Sequence, residues 1–229
     1  MSETDTVSAK GQAPSPRTRV RRIAERAHYE RDTLYAILDA AYVCHVAFAD
    51  EHGVHCIPTA CWREGDHLYI HGSNGSRMLK LAAEGAQVCV TIMHLDGLVL
   101  ARSAFHHSMN YRSAMIYGVF EVVGADRKAA ALDAFLNHIA QGRAHEVRAG
   151  NRNELAATTV LRLPLDEAAA KIRTGGPKDD EEDLDRPVWA GVLPLELQPL
   201  APEPDGTQTQ GAVPDYVAAW ARRAGSVGR

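Results

Sequence analysis

Between residues 42 and 123, short runs rich in β-branched and aromatic residues alternate with equally short polar breaks. Runs 42–48, 54–61 and 67–71 are interrupted by Asp50-Glu51-His52-Gly53 and Glu64-Gly65-Asp66. A crossover to a parallel neighbour needs about a dozen residues or more, so breaks of this size dictate antiparallel hairpins or a meander. Further strands are expected at 87–94, 98–105, 114–123 and 158–163. Helical spacing starts at about Arg31, where Leu34, Ile37, Leu38 and Ala41 share a face and Asp32 is a plausible cap. It recurs at 77–84 before Gly85, at 127–140 with Ala131, Leu132, Phe135, Leu136 and Ile139 on one face, and in the helix-like stretch 166–172. Roughly seven clustered strands with about four helices predict a mainly β fold, a small barrel with peripheral helices.

Composition closes off several functions. A net charge of −4 supplies no basic field for nucleic acid or an anionic membrane. The longest apolar runs, 88–93 and 114–119, fall far short of the roughly 20 residues of a membrane span. Met1-Ser2-Glu3-Thr4-Asp5 has no secretory pattern, so a cytoplasmic protein is expected, with Cys44, Cys56, Cys61 and Cys89 as small core residues. Cys44, His45, His52, His55, Cys56 and Cys61 lie near one another, but strand neighbours point to opposite faces and no C-x-x-C pair is present. No metal site is expected. Residues 1–17 read as a polar, disordered tail, and the charge run 179–183 as a solvated loop. The expected organisation is a tail over 1–20, a domain over 21–199 and an extension over 200–229, with a possible short helix around Tyr216 and Trp220.

Three segments could carry chemistry. In His71-Gly72-Ser73-Asn74-Gly75-Ser76-Arg77, a strand gives way to a helix through a turn whose glycines admit close backbone approach. Ser73 and Ser76 add hydroxyls, and Arg77 a bidentate fork suited to phosphate. The same turn also reads as a plain strand–helix joint. It is neither a P-loop nor a dinucleotide fingerprint, because the required spacings are missing. The second segment, 103–113, is a polar stretch carrying His106, His107, Asn110, Tyr111, Arg112 and Ser113, expected as a loop. The third, Ile57-Pro58-Thr59, has a proline that marks an edge or bulge with free backbone groups.

Together these segments resemble the pyridoxamine phosphate oxidase-like, FMN-binding split-barrel superfamily, and within it the nitroimidazole-reductase-like branch. The resemblance runs from Arg26-Ala27-His28-Tyr29 to Trp189-Ala190-Gly191-Val192-Leu193-Pro194. It includes Leu68-Tyr69-Ile70-His71-Gly72-Ser73 with Ser76-Arg77, Val90-Thr91, Leu98-Val99-Leu100-Ala101-Arg102-Ser103, Asn110-Tyr111-Arg112-Ser113 and Tyr117-Gly118.

The resemblance implies a homodimeric split β-barrel with FMN at the subunit interface. Ile57, Pro58 and Thr59 would line the isoalloxazine edge, with His71 near the ring. Gly72, Ser73, Ser76 and Arg77 would lie toward the phosphate. Tyr111, Arg112 and Ser113 would approach the cofactor, and Trp189 would form an aromatic wall. Lys171 and Arg173 are further cation candidates. The implied function is an oxidoreductase passing electrons from NAD(P)H to a nitroaromatic or quinone-like acceptor, with His71 as proton donor and Arg112 favouring the anionic reduced flavin. Vitamin oxidation is disfavoured, because residues 193–200 lack the arginine of the true oxidases' closing signature. Alternatives on the same fold are a non-catalytic FMN-binding or redox-sensing protein, a deazaflavin-using reductase, and a haem protein with His106 or His107 as axial ligand.

Overall fold

A computed structural model describes residues 11–207 and 213–220. Its strands are β1 (Ala27–His28), β2 (Val43–Asp50), β3 (Gly53–Glu64), β4 (His67–Ser73), β5 (Gln87–Leu100), β6 (Ser108–Val119), β7 (Glu121–Val122), β8 (Thr158–Pro164), β9 (Ala168–Arg173) and β10 (Gly191–Pro194). All pair antiparallel, in the order β1-β9-β6-β5-β2-β3-β4-β8-β7, with β10 beside β5. The short breaks at 51–52 and 65–66 are the hairpin turns the sequence dictates, with Gly53 and Gly65 at positive φ.

Two strands serve twice and close the barrel. β3 pairs with β2 up to Ala60 and with β4 from Cys61. The β6 run pairs with β5 and β9, and its continuation β7 pairs with β8. Period-two alternation then sorts the faces. Ile57, Val46, Val90, Ile116 and Ala168 form one row facing in, and Pro58, His45, Thr91, Met115 and Ala169 the next row facing out. The interior is filled by Val46, Leu68, Ile70, Val90, Ile116, Leu161 and Leu163 and is plugged by two helices. Helix α1 (Arg31–Asp39) contributes Leu34, Ile37 and Leu38, and helix α2 (Arg77–Ala83) contributes Met78, Leu79 and Ala82. A second cluster lies outside the sheet, where α3 (Ala125–Ile139) covers Trp62, Tyr69 and Val160.

Several sequence expectations change. The two strands expected at 87–94 and 98–105 are one strand, β5, because Asp96-Gly97 forms a bulge rather than a turn. Gly97 has no room for a side chain there: a Cβ would stand 3.0 Å from the Leu193 carbonyl of β10. The helix-like stretch 166–172 is β9, its alanines held by β6 on one side and β1 on the other. The segment 108–113, expected in a loop, opens β6. Helix α4 (Arg152–Ala157) was not foreseen, although Asn151 and Glu154 form a capping box. The cap of α1 is Glu30 rather than Asp32.

The described N-terminal segment is largely exposed but is tied down around Thr18. Thr18 is buried, and the Arg17 guanidinium bonds Glu167 and lies 5.1 Å over the Tyr117 ring. Residues 1–10 lie outside the described residues. Of the expected C-terminal helix, α5 (Asp215–Ala218) forms, and residues 221–223 lie outside the described residues. No described helix is long and apolar enough to cross a membrane. Among the cysteines Cys44 and Cys61 are core residues, whereas Cys56 is exposed and Cys89 half-buried. Contact with the Cys61 thiol, and then burial, pushes the Cys44 thiol up and keeps it inert.

Candidate functional site

Strands β3 and β4 pair only over Cys61–Glu64 with His67–Ile70, and beyond that they diverge. This split leaves one edge of β3 at Ile57–Thr59 without a strand partner, and likewise the facing edge of β4 at His71–Ser73. Pro58, which has no N–H, is tolerated on such an edge. Of the three β3 residues, Ile57 packs on the barrel core and Thr59 pairs with buried Cys44, so Pro58 alone turns outward.

The turn 73–77 is built as a helix start. Ser73 Oγ accepts from Gly75 N at 3.1 Å, and Ser76 Oγ from Leu79 N at 3.4 Å. Both hydroxyls keep their O–H for a ligand. Of the two glycines, Gly72 alone has a packing reason. A Cβ on Gly72 would come within 2.9 Å of Leu79 Cδ1, and one on Gly75 would meet only ordinary contact.

Arg77, half-exposed at the first position of α2, reaches across the split to the β2–β3 hairpin. Its Nη1 lies 3.4 Å from Asp50 Oδ2, and its Nη2 3.3 Å from His55 Nδ1. Since Arg77 can only donate, His55 Nδ1 accepts, and its Nε2–H donates to Asp50 Oδ1 at 2.8 Å. The His55 bond, with smaller help from the His52 N–H and Arg77, holds Asp50 below the usual carboxylate range. His55 and Asp50 carry no sequence signal for this role, because their partner lies 22 or more residues away.

His71 stands on the outer face of β4. It packs on Phe135 at 4.4 Å between ring centroids and edge-on to Trp62 at 5.7 Å. Its Nδ1 is buried without a partner, as is Trp62 Nε1 beside it, and no hydrogen bond to described residues engages either imidazole nitrogen. Burial pulls His71 below the ordinary histidine range. A neutral imidazole is a poor proton donor at neutral pH and a good metal ligand.

The depressed pKa also fixes a pH dependence. With an unfolded value of about 6.5, the unfolded chain binds the proton first as pH falls. Stability should drop below that pH until the folded pKa is passed. Urea midpoints at about pH 7.5 and 5.5 are expected to fall less in His71→Gln than in the parent. An equal fall would remove His71 as the cause.

The remaining expected residues do not converge in one chain. Strand alternation puts Tyr111 and Ser113 on one face of β6 and Arg112 on the other. Arg112 is held bidentately by Asp96 at 2.8 and 2.9 Å, so its charge is already compensated and it is no free cation for a flavin ring. Ser113 Oγ donates to Lys171 O at 3.1 Å. Trp189 is 63% exposed beside β10, at the opposite end of β5 from the stretch that pairs with β2, and within one chain it walls nothing. Both histidines of the 103–113 segment have partners: His106 Nε2 lies 3.0 Å from Asp180, and His107 Nδ1 lies 2.9 Å from Ser103 O.

Residues 30–172 match the pyridoxamine 5'-phosphate oxidase family. No curated protein matches the chain. Among solved structures, the flavocytochrome Anf3 from Azotobacter vinelandii is 39% identical with a TM-score of 0.88, covering 92% of this chain and 99% of that one. An FAD and haem binding protein from Mycobacterium smegmatis is 38% identical with a TM-score of 0.82, covering 85% and 97%. A candidate 5-nitroimidazole antibiotic resistance protein from Bacteroides thetaiotaomicron is 23% identical with a TM-score of 0.52, covering 64% and 86%, which shows the shared fold alone. The family expected from the sequence stands, but the high identities fall on flavocytochrome-type structures rather than on the nitroimidazole branch.

Proposed function

This chain belongs to the pyridoxamine 5'-phosphate oxidase family, and from that premise we propose that it is a redox protein binding a flavin nucleotide and a haem. The observation that carries this reading is the likeness, over nearly the whole chain, to structures described as a flavocytochrome and as an FAD and haem binding protein. Bound flavin would supply hydride or electron transfer, and haem iron one-electron transfer.

The chain's own residues fit both groups. For the flavin, the open edges at Ile57–Thr59 and His71–Ser73 offer backbone donors and acceptors, and the Ser73 and Ser76 hydroxyls and Arg77 lie at the end of the split. Arg77 would exchange Asp50 for a flavin phosphate. The sequence reading named FMN, whereas the similar structures favour FAD. For haem, His71 offers an unpartnered, neutral imidazole walled by Trp62 and Phe135, and so replaces His106 and His107 as the axial candidate. The outward-facing row through Pro58, His45, Thr91 and Met115, together with exposed Val43, Val54 and Met93, supports a homodimer that would bring Tyr111, Ser113 and Trp189 of a second copy to the site.

The visible spectrum of the purified protein tests this. A two-band flavin absorbance with released nucleotide, together with a Soret band, is expected. A colourless protein that takes up neither group overturns the proposal. Following NADH or NADPH oxidation with nitroaromatic and quinone acceptors then separates an enzyme from an electron carrier or sensor. Arg77→Ala is expected to weaken flavin-nucleotide binding by about 1.5–3 kcal/mol, the worth of a charge-assisted bond to phosphate. Unchanged affinity in a flavin titration would remove Arg77 from the phosphate site.

A further inference from the structure

At the end of β9 the chain buries a cation with no described acid beside it. Arg173, the last residue of β9, is 5% exposed. Its Nη1 donates to the Asn110 side-chain oxygen and to Gly175 O at 3.2 Å, and its Nη2 to Gly176 O at 3.1 Å. Asn110, also buried, is fixed by its own bond to Gly175 O at 3.1 Å. These acceptors are all neutral, and Arg173 Nε has none. A guanidinium taken out of water is normally accompanied by a carboxylate, because an uncompensated buried charge is costly. Arg173 makes no ion pair among the described residues, and neither do Arg26 and Lys178, which join it around one cavity of about 360 Å³. His28 and Thr174 share the wall, and exposed Glu25 is its one carboxylate. Burial, and then the nearness of Arg26, lower the proton affinity of Arg173, as expected where cations are gathered without a counter-ion.

We infer that this cavity is an anion site for a phosphate-bearing ligand, a phosphate ester or a diphosphate. Three cations against one acid match a group carrying about two negative charges better than a single carboxylate. Arg26 contributes a planar fork and Lys178 a mobile point charge at the rim, while Arg173 is held in place by Asn110 and the two glycine carbonyls. Arg77 does not line this cavity, which sits at the end of β9 between β6 and β1 rather than at the β3–β4 split. The ligand is therefore not the group held by Arg77 of the same chain. It is either a separate phosphorylated molecule or the diphosphate of a flavin dinucleotide bound on a second copy, whose site the proposed homodimer brings to Tyr111, the residue paired with Arg173.

The test titrates inorganic pyrophosphate calorimetrically into the full-length protein as purified, at fixed ionic strength. The background is Arg77→Ala, with and without the pair Arg26→Ala and Lys178→Ala. Saturable binding that weakens at least tenfold in the pair assigns the cavity to a separate phosphorylated ligand. Flavin that is retained at least tenfold more weakly by the pair assigns it to the cofactor's own diphosphate. If neither pyrophosphate nor flavin binding changes, the inference is overturned. Arg173→Met should follow the pair; if it does not fold, the two rim substitutions carry the test alone. The flavin reading fails on the visible spectrum instead, so the two failures are distinct.

Discussion

Replacing His71 with alanine should strip the Soret band from the purified protein while its circular dichroism and most of its flavin absorbance persist. An axial ligand needs a ring nitrogen that is free, neutral and directed away from competing donors. His71 meets each condition. No hydrogen bond among the described residues engages the ring, burial favours its neutral form, and Trp62 and Phe135 pack against it. His94, His106, His107 and His138 are each bonded to a carbonyl or a carboxylate. Haem affinity should fall by more than about tenfold, the loss usual when even a supporting residue of a metal site is removed. A Soret band of unchanged position and intensity would take His71 off the iron. Loss of flavin with haem retained would instead place His71 in the flavin wall.

Trp62→Ala is expected to be among the most destabilising single changes, at about 3–5 kcal/mol, read as a drop in the urea midpoint. Trp62 is 1% exposed and ties β3 and β4 to α3, stacking on Tyr69 at 5.4 Å and tilting on Phe135 at 5.2 Å. Removing it opens a cavity between the sheet and the helix at the point where the barrel splits. Trp62→Phe should cost less than half as much, because the ring contacts largely remain and the unpartnered indole N–H disappears. A phenylalanine variant as damaging as alanine would show that this N–H is bonded in solution.

The two substitutions bear on different levels of the molecule, and so did the sequence. The hairpins β2–β3 and β3–β4 were legible because their information is local. Alternation sets the faces, and the breaks are too short for anything but an antiparallel return. The stripes of α1 and α3 were legible for the same reason. The turn 71–77 could also be recognised, though not what its parts do. Gly72, which reads as room for a phosphate, is also room for Leu79.

What the sequence determined by itself is the set of elements whose signal lies within a few residues: the strands and their faces, the amphipathic helices, and the family to which the motifs belong. Tertiary structure alone decided the rest, because those outcomes depend on partners far along the chain. β5 runs unbroken through Asp96-Gly97 because β10, nearly a hundred residues later, fits against the bulge. The alanines of β9 are strand because β6 and β1 offer ladders that outweigh helical propensity. Arg112 finds Asp96 and Arg77 finds Asp50, whereas Arg173 finds no acid among the described residues. Whether a charged or ring nitrogen is spent or free is settled by which groups the fold brings within about 3 Å of it, since hydrogen bonds and ion pairs fall away beyond that range. Sequence spacing does not carry that distance, and for His71 and Arg173 it is the distance that bears on function.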